Sequence, residues 1–243
     1  MVKTPSQTFP YTVLLTRPEK DSISLGETIQ KEGVRVISNP LLRITNVPIS
    51  APFQLPAAWI LTSRYAVNAL KDLEPDHTKL IFTVGQPTET ICRNAGFINI
   101  IAGDGHAQSL LEIIEAYIPN SFGPIMHLSG DVVRYDLAKH LQTKGYDASR
   151  LVAYESQPIL SFHEQTIDLL KAEEFTHMLF FSPRTAAIFS SLIKKHFLEK
   201  SLHRVCAIGM SHDVVAELKT LTWGRQIVTK DPQGALLENI GKE

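Results

Sequence analysis

Residues 125–157 read IMHLSGDVVRYDLAKHLQTKGYDASRLVAYESQ, and the way this stretch alternates decides the fold. The apolar run at 125–128 predicts a strand, Ser129-Gly130-Asp131 a tight turn, 132–144 a helix, and 151–154 a second strand. Val133, Leu137 and Leu141 recur at i, i+4 and i+8, which lays one apolar stripe along a helix. Gly145 follows Lys144 where a left-handed C-terminal cap is expected. Ser129 or Asp131 stands ready to cap the first amides, leaving a helix start suited to an anion. The stretch is one βαβ unit.

The same alternation runs outward in both directions. Upstream, residues 11–16 read as a strand ended by Arg17-Pro18, a helix capped by Asp21 or Ser22 runs to Lys31, and Gly33 closes it before a strand at 34–37. Pro48, Pro52 and Pro56 then argue against regular structure, so that span reads as a loop or a crossing between domains. Strands follow at 59–61, 80–84 and 99–102, with helices carrying Ala66, Val67 and Leu70, then 88–94 and 109–118. Downstream of Pro158, helices at 164–172, 185–197, 212–221 and 234–240 alternate with strands at 178–181, 204–208 and 226–229.

An internal duplication lies under this list. LLTR, GVRVI, ILTS and FTVG in the first half are answered by MHLSG, GYDASRLVAY, LFFS and CAIG in the second. Gly33 and Gly145 hold the same step, as do Ser63 and Ser182, and Gly85 and Gly209. A period of about 110 residues is too long for a solenoid and implies two similar lobes. Alternating strands and helices imply an α/β fold of parallel sheets flanked by helices. Ligands of such sheets bind beyond the carboxyl ends of the strands, and with two lobes a cleft between them is the expected site.

Composition narrows the chemistry. The 243 residues are 44% hydrophobic and 20% charged, with a formal net charge of −1, so no global field points to nucleic acid, a membrane surface or long-range anion capture. Two isolated cysteines, Cys92 and Cys206, make neither a disulfide framework nor a metal motif, and the N-terminal stretch lacks a signal-like apolar core; a cytoplasmic protein is expected. The nine histidines are scattered, and no GxSxG elbow, phosphate loop or GxGxxG fingerprint is present. What remains is Ser, Thr and Gly at strand ends, where amides and hydroxyls suit carboxylates or phosphates. Each such residue is also ordinary turn chemistry. Tyr154 reads equally as a packed tyrosine, Arg134 as a solvated charge.

Several weak motifs in order carry a resemblance. They are Leu61-Thr62-Ser63-x2-Ala66-Val67, Thr83-Val84-Gly85-x2-Thr88, and Gly130-x3-Arg134-x2-Leu137-x3-Leu141-x3-Gly145 followed by Ala153-Tyr154. Further on come Phe180-Phe181-Ser182-Pro183, Ala207-Ile208-Gly209 and Pro232-x3-Leu236-Leu237-x2-Ile240. Together, over nearly the full length, the chain resembles the uroporphyrinogen-III synthase family. The resemblance implies one lobe inserted into the other through two extended connections: residues 1–39 with 158–243 as the first lobe and 40–157 as the second. It implies a small-molecule substrate, the linear tetrapyrrole hydroxymethylbilane, closed with loss of water and inversion of ring D. It implies no cofactor, no metal, and a monomer with no nucleic-acid or membrane partner. On this resemblance Tyr154 is the expected catalytic residue, helping the substrate hydroxyl to leave. The expected substrate-binding residues are Arg17, Thr62, Ser63, Gly85, Thr88, Gly130, Arg134, Ser182, Pro183, Gly209 and Ser211, with Arg64 and Arg184 as weaker candidates. Arg64-Tyr65 replaces a Ser-Pro pair frequent in the family, and Met210-Ser211-His212 replaces small hydroxyl residues. The rival readings are a non-catalytic bilobal module binding a tetrapyrrole or other polyanion, and an enzyme of phosphosugars or nucleotides.

Overall fold

The computed structural model describes residues 10–49 and 54–240. The chain divides into two compact units, residues 1–43 with 158–243, and residues 44–157. The first unit opens with β1 (Thr12–Leu15), α1 (Glu19–Gln30) and β2 (Arg35–Ser38). Gly33 turns the chain between α1 and β2 at φ +76°, a conformation glycine takes without a Cβ clash. Pro18 precedes α1 in place of the expected cap; the Ser22 hydroxyl instead donates to the Arg17 carbonyl at 3.0 Å.

The second unit then builds a six-stranded sheet. Its strands are β3 (Leu42–Asn46), β4 (Ala58–Leu61), β5 (Leu80–Thr83), β6 (Ile100–Ala102), β7 (Ile125–Gly130) and β8 (Ala148–Pro158). Between them lie α2 (Val67–Leu73), α3 (Gln86–Asn94), α4 (Ala107–Tyr117) and α5 (Leu137–Thr143). The order is β3-β8-β7-β4-β5-β6, and β8 through β6 pair in parallel. The edge strand β3 was absent from the sequence reading, which saw only the prolines beyond it. Pro48 and Pro56 do fall outside regular elements, and Pro52 lies outside the described residues.

The chain returns to the first unit through α6 (Glu164–Lys171), β9 (His177–Phe180), α7 (Pro183–Lys195), β10 (Cys206–Gly209), α8 (His212–Ala216), β11 (Arg225–Val228) and α9 (Pro232–Ile240). That sheet runs β11-β10-β9-β1-β2, all parallel. Helix α8 is one short turn and a half, not the predicted 212–221; Leu218 and Leu221 are nonetheless buried.

The duplication is visible in each sheet's own order. Reading β2-β1-β9-β10-β11 beside β8-β7-β4-β5-β6 matches every strand but the edge strand β3 with its repeat partner. Ser63 and Ser182 have nearly identical backbones, φ −149° with ψ 142° and 146°. The central strands are largely apolar because helices cover both faces, with His127 and Ser129 on β7 as buried polar exceptions. Leu14 packs with Phe180 and Phe189 on one face, while Val13 and Leu15 pack with Leu25 and Ile208 on the other. In the second unit Ile60 joins Phe82, Ile114 and Leu137, and Trp59 joins Val67, Leu70 and Phe97. Each such side chain contributes roughly 1.5–3 kcal/mol through burial. Among the described residues no helix is long and apolar enough to cross a membrane.

Candidate functional site

The carboxyl ends of β4, β5 and β7 in the second unit open into one pocket of about 510 Å³, lined in part by Thr62, Ser63, Val84, Gly130, Arg134 and Tyr154. That size lies within the ~300–1,000 Å³ usual for small-molecule sites. Among the described residues that line it, none is Asp or Glu, whereas Arg134 brings a fixed positive charge.

Each side chain is held by its strand end. Ser63 terminates β4 in extended conformation, and its hydroxyl accepts the Tyr65 amide at 3.3 Å, starting the following turn. Gly130 ends β7 at a register shift, so that it stands opposite Tyr154 rather than Ala153. This bulge is where the predicted βαβ unit departs from expectation. The Asp131 amide donates to the Tyr154 carbonyl at 2.9 Å, and the Asp131 carboxylate accepts the Ser156 amide and hydroxyl at 3.0 and 3.2 Å. These bonds carry the chain along β8 instead of into a helix, which starts only after Asp136, whose side chain caps the Lys139 amide at 3.1 Å. Ser129 is buried and its hydroxyl donates to the Gly130 carbonyl. Neither Ser129 nor Asp131 is therefore a helix cap. Val133 and Arg134 lie in the 131–136 loop and face the pocket.

The half-buried Tyr154 ring lies against Gly130. A Cβ there would come within 2.7 Å of ring carbon Cε2, 2.8 Å of Cζ and 3.0 Å of the hydroxyl oxygen. Tyr65 meets the same ring edge-on, centroids 5.6 Å apart at 60°. Glycine is required at 130 because the tyrosine occupies the space of a side chain.

Sequence reasoning missed the opposite wall, Gly105 to Gln108. Gly105 takes φ +106°, and its amide donates to the Val84 carbonyl at 2.7 Å. Gly85 approaches it so closely that a Cβ would lie 3.4 Å from the Gly105 backbone. The turn delivers the start of α4, which no side chain caps, to the pocket wall; such amides favour anions. Asp104 pins the turn by accepting from the His106 amide and the Ser109 hydroxyl, and those bonds lower its pKa, the Ser109 bond most. The strand–glycine–helix signature at 100–107 is the one used elsewhere in the chain and was there to be read.

Beneath the pocket lies His127 on β7, 1% exposed. Its Nε2 is 2.9 Å from the Thr62 hydroxyl, and its Nδ1 has no partner among the described residues. Burial pushes its pKa down to about 4, against the opposing pull of Asp136 and with a smaller push from Arg150. An unfolded histidine titrates near 6.5, so as pH falls the unfolded chain takes up its proton first. Stability held above pH ~6.5 is then lost towards pH ~4, by roughly 3 kcal/mol in all. Urea unfolding across this range should show a steeper decline for the wild type than for His127→Leu; parallel curves would contradict it.

The other expected residues lie elsewhere. Gly85 adjoins the pocket without lining it, and Thr88 is buried in the first turn of α3. Arg17, Ser182, Pro183, Gly209 and Ser211 stand at the carboxyl edge of the other unit's sheet. There Arg17 pairs with Asp21 at 3.3 Å and covers the Phe181 ring at 4.3 Å. Ser182 and Ser211 cap α7 and α8, accepting the Thr185 and Val214 amides at 3.1 and 3.4 Å.

Comparison with known proteins agrees with this architecture. A yeast (Saccharomyces cerevisiae) uroporphyrinogen-III synthase is 28% identical over 173 residues, a stretch covering 62% of this chain and 63% of the yeast protein. The fold is similar to that of a crystallised mutant uroporphyrinogen III synthase from Thermus thermophilus, with TM-score 0.60, 17% identity, and coverage of 96% of this chain and 98% of that one. It is similar also to uroporphyrinogen-III synthetase from Helicobacter pylori, with TM-score 0.62, 13% identity, and coverage of 95% and 99%. The family model of uroporphyrinogen-III synthase HemD runs through residues 24–237, every strand but β1 included, and the chain belongs to that family.

Proposed function

We propose that this chain is a uroporphyrinogen-III synthase, closing hydroxymethylbilane to uroporphyrinogen III with loss of water and inversion of ring D. The observation that carries the reading is a pocket free of acidic side chains that holds Tyr154, in a chain of the HemD family. A substrate bearing eight carboxylates needs donors and positive charge and is repelled by acids. Thr62, Ser63, Arg134 and the first amides of α4 supply donors from one pocket.

The chemistry asks little more of the protein. Electron release from the ring A pyrrole nitrogen expels the hydroxymethyl oxygen, and Tyr154 gives that oxygen a proton, so that water leaves. The resulting azafulvene carbon bonds to the substituted position of ring D, giving a spiro centre. Fragmentation and reclosure invert ring D, and the proton lost on rearomatisation restores the phenol. The protein's main contribution is to hold the chain's two ends together. Arg17, Ser182, Pro183, Gly209 and Ser211, at the equivalent strand ends of the other unit, are proposed to hold further carboxylates, with Gly85 and Thr88 shaping the turn beside the pocket. Free, buried Cys92 and Cys206 suit a reducing, cytoplasmic setting for a protein acting as a monomer on a small molecule.

Purified protein supplied with hydroxymethylbilane should yield uroporphyrinogen III, resolved chromatographically from isomer I. Isomer I alone, the spontaneous product, would contradict the reading and favour a module that binds without turnover.

A further inference from the structure

We propose that His127 is a positioning residue for the pocket: its Nε2–H donates to Thr62 Oγ1 and commits the Thr62 hydroxyl hydrogen to an anionic oxygen of the ligand. The inference rests on the functional reading above, since it names how one carboxylate contact of that pocket is set.

The argument begins with alternation along the sheet. Ile125, His127 and Ser129 share one face of β7, and Ala58, Ile60 and Thr62 share the same face of the adjacent β4. His127 is thus fixed under the pocket while Thr62, at the strand end, reaches it. The two side chains meet at 2.9 Å.

The remaining nitrogen decides the direction of that bond. Nδ1 is buried without a partner among the described residues, on the face that packs against Leu137, Ala138 and Leu141. A bare N–H in such surroundings is costlier than a bare lone pair, as orphaned buried donors are the rarer of the two. The proton of the neutral ring therefore sits on Nε2. The lowered pKa keeps the ring neutral near pH 7, with Asp136 and Arg150 the charged groups acting on it.

A hydroxyl has one hydrogen and two lone pairs. With one lone pair taken by His127, Thr62 keeps its hydrogen for the pocket and presents it to an anion. In the opposite tautomer the hydroxyl would donate downward and turn only lone pairs to a carboxylate, which repel it. The histidine thus converts an ambivalent group into a donor before substrate arrives. Its advantage is preorganisation, and it touches no reacting atom.

A double-mutant cycle tests this, with uroporphyrinogen III formation by wild-type protein as the entry condition. Absence of that product sinks the functional reading itself. Thr62→Val is expected to raise KM about tenfold, the scale for losing a hydrogen bond to a charged group. His127→Leu is expected to raise KM about threefold to tenfold with kcat little changed, and to add nothing in the Thr62→Val background. His127→Gln, whose side-chain amide still donates, should recover part of the loss. Nitrogen NMR of histidine-labelled wild-type protein should show the Nε2–H tautomer, a readout that needs no variant to fold. Independent, multiplicative effects of the two substitutions, a wild-type KM in His127→Leu, or an Nδ1–H tautomer would each overturn the inference.

Discussion

Gly130→Ala is expected to lower kcat/KM about a hundredfold, the scale set by a ~1 Å misplacement in a site, here of the proposed catalytic Tyr154. The new methyl would lie 2.7 Å from Tyr154 Cε2, whereas carbons in contact stay ~3.5–4.0 Å apart. The backbone cannot yield easily, because the bulge at 129/130 and the Asp131 amide to the Tyr154 carbonyl fix both strands. The ring cannot simply slide away either, since Tyr65 lies at its edge. It must rotate, which takes its hydroxyl out of place and also reshapes the pocket wall the ring forms, so the loss exceeds that of removing the hydroxyl alone. Overpacking of this kind costs ~1–3 kcal/mol of stability, which thermal unfolding will register separately from activity. In a Tyr154→Ala background the same glycine change should cost less than about threefold, because the clash is gone. Equal losses in both backgrounds would mean that Gly130 acts on something other than the tyrosine.

Tyr154→Phe should be milder, about tenfold in kcat with KM nearly unchanged. The ring, its seat on Gly130 and its contact with Tyr65 all remain, so only the proposed proton donation is removed. General acid catalysis is worth ~10²–10⁴ where the leaving group depends on it. In the proposed reaction the pyrrole nitrogen already drives the hydroxyl out, which reduces the dependence. Steady-state kinetics of isomer III formation measure both parameters. Full turnover in Tyr154→Phe would remove the acid role and leave the ring as a wall of the pocket.

Much of the fold was legible because its determinants are local. Runs such as TVLL and AWIL could be only buried strands, and Gly33 and Gly145 mark left-handed turns at φ +76° and +86°. The duplication gave the matching of strands that the two sheet orders display. The 131–136 loop was misread as helix because Val133, Leu137 and Leu141 do keep helical spacing. What overrode that period is the bulge at Gly130 and the bond from Asp131 to Ser156, 25 residues away. Asp136 is an ordinary N-cap residue and was there to be seen. Strand β3 was hidden by nearby prolines that lie beyond its end.

The site was legible in its strand ends and opaque in its contacts. Thr62, Ser63, Gly130, Arg134 and Tyr154 do converge on one pocket, since strand ends of one sheet share an edge. That Gly130 exists to seat a tyrosine 24 positions on, or that Thr62 meets His127 65 positions away, depends on register between strands. No periodicity records that.

The most direct measurement runs wild type and Gly130→Ala side by side on hydroxymethylbilane at equal protein concentration, with the uroporphyrinogen isomers separated by chromatography. Wild type should give isomer III, while the variant, too slow to compete with spontaneous closure, should leave mainly isomer I. Isomer I alone from the wild type, or isomer III formed as fast by the variant, would contradict the assignment of this pocket and its tyrosine.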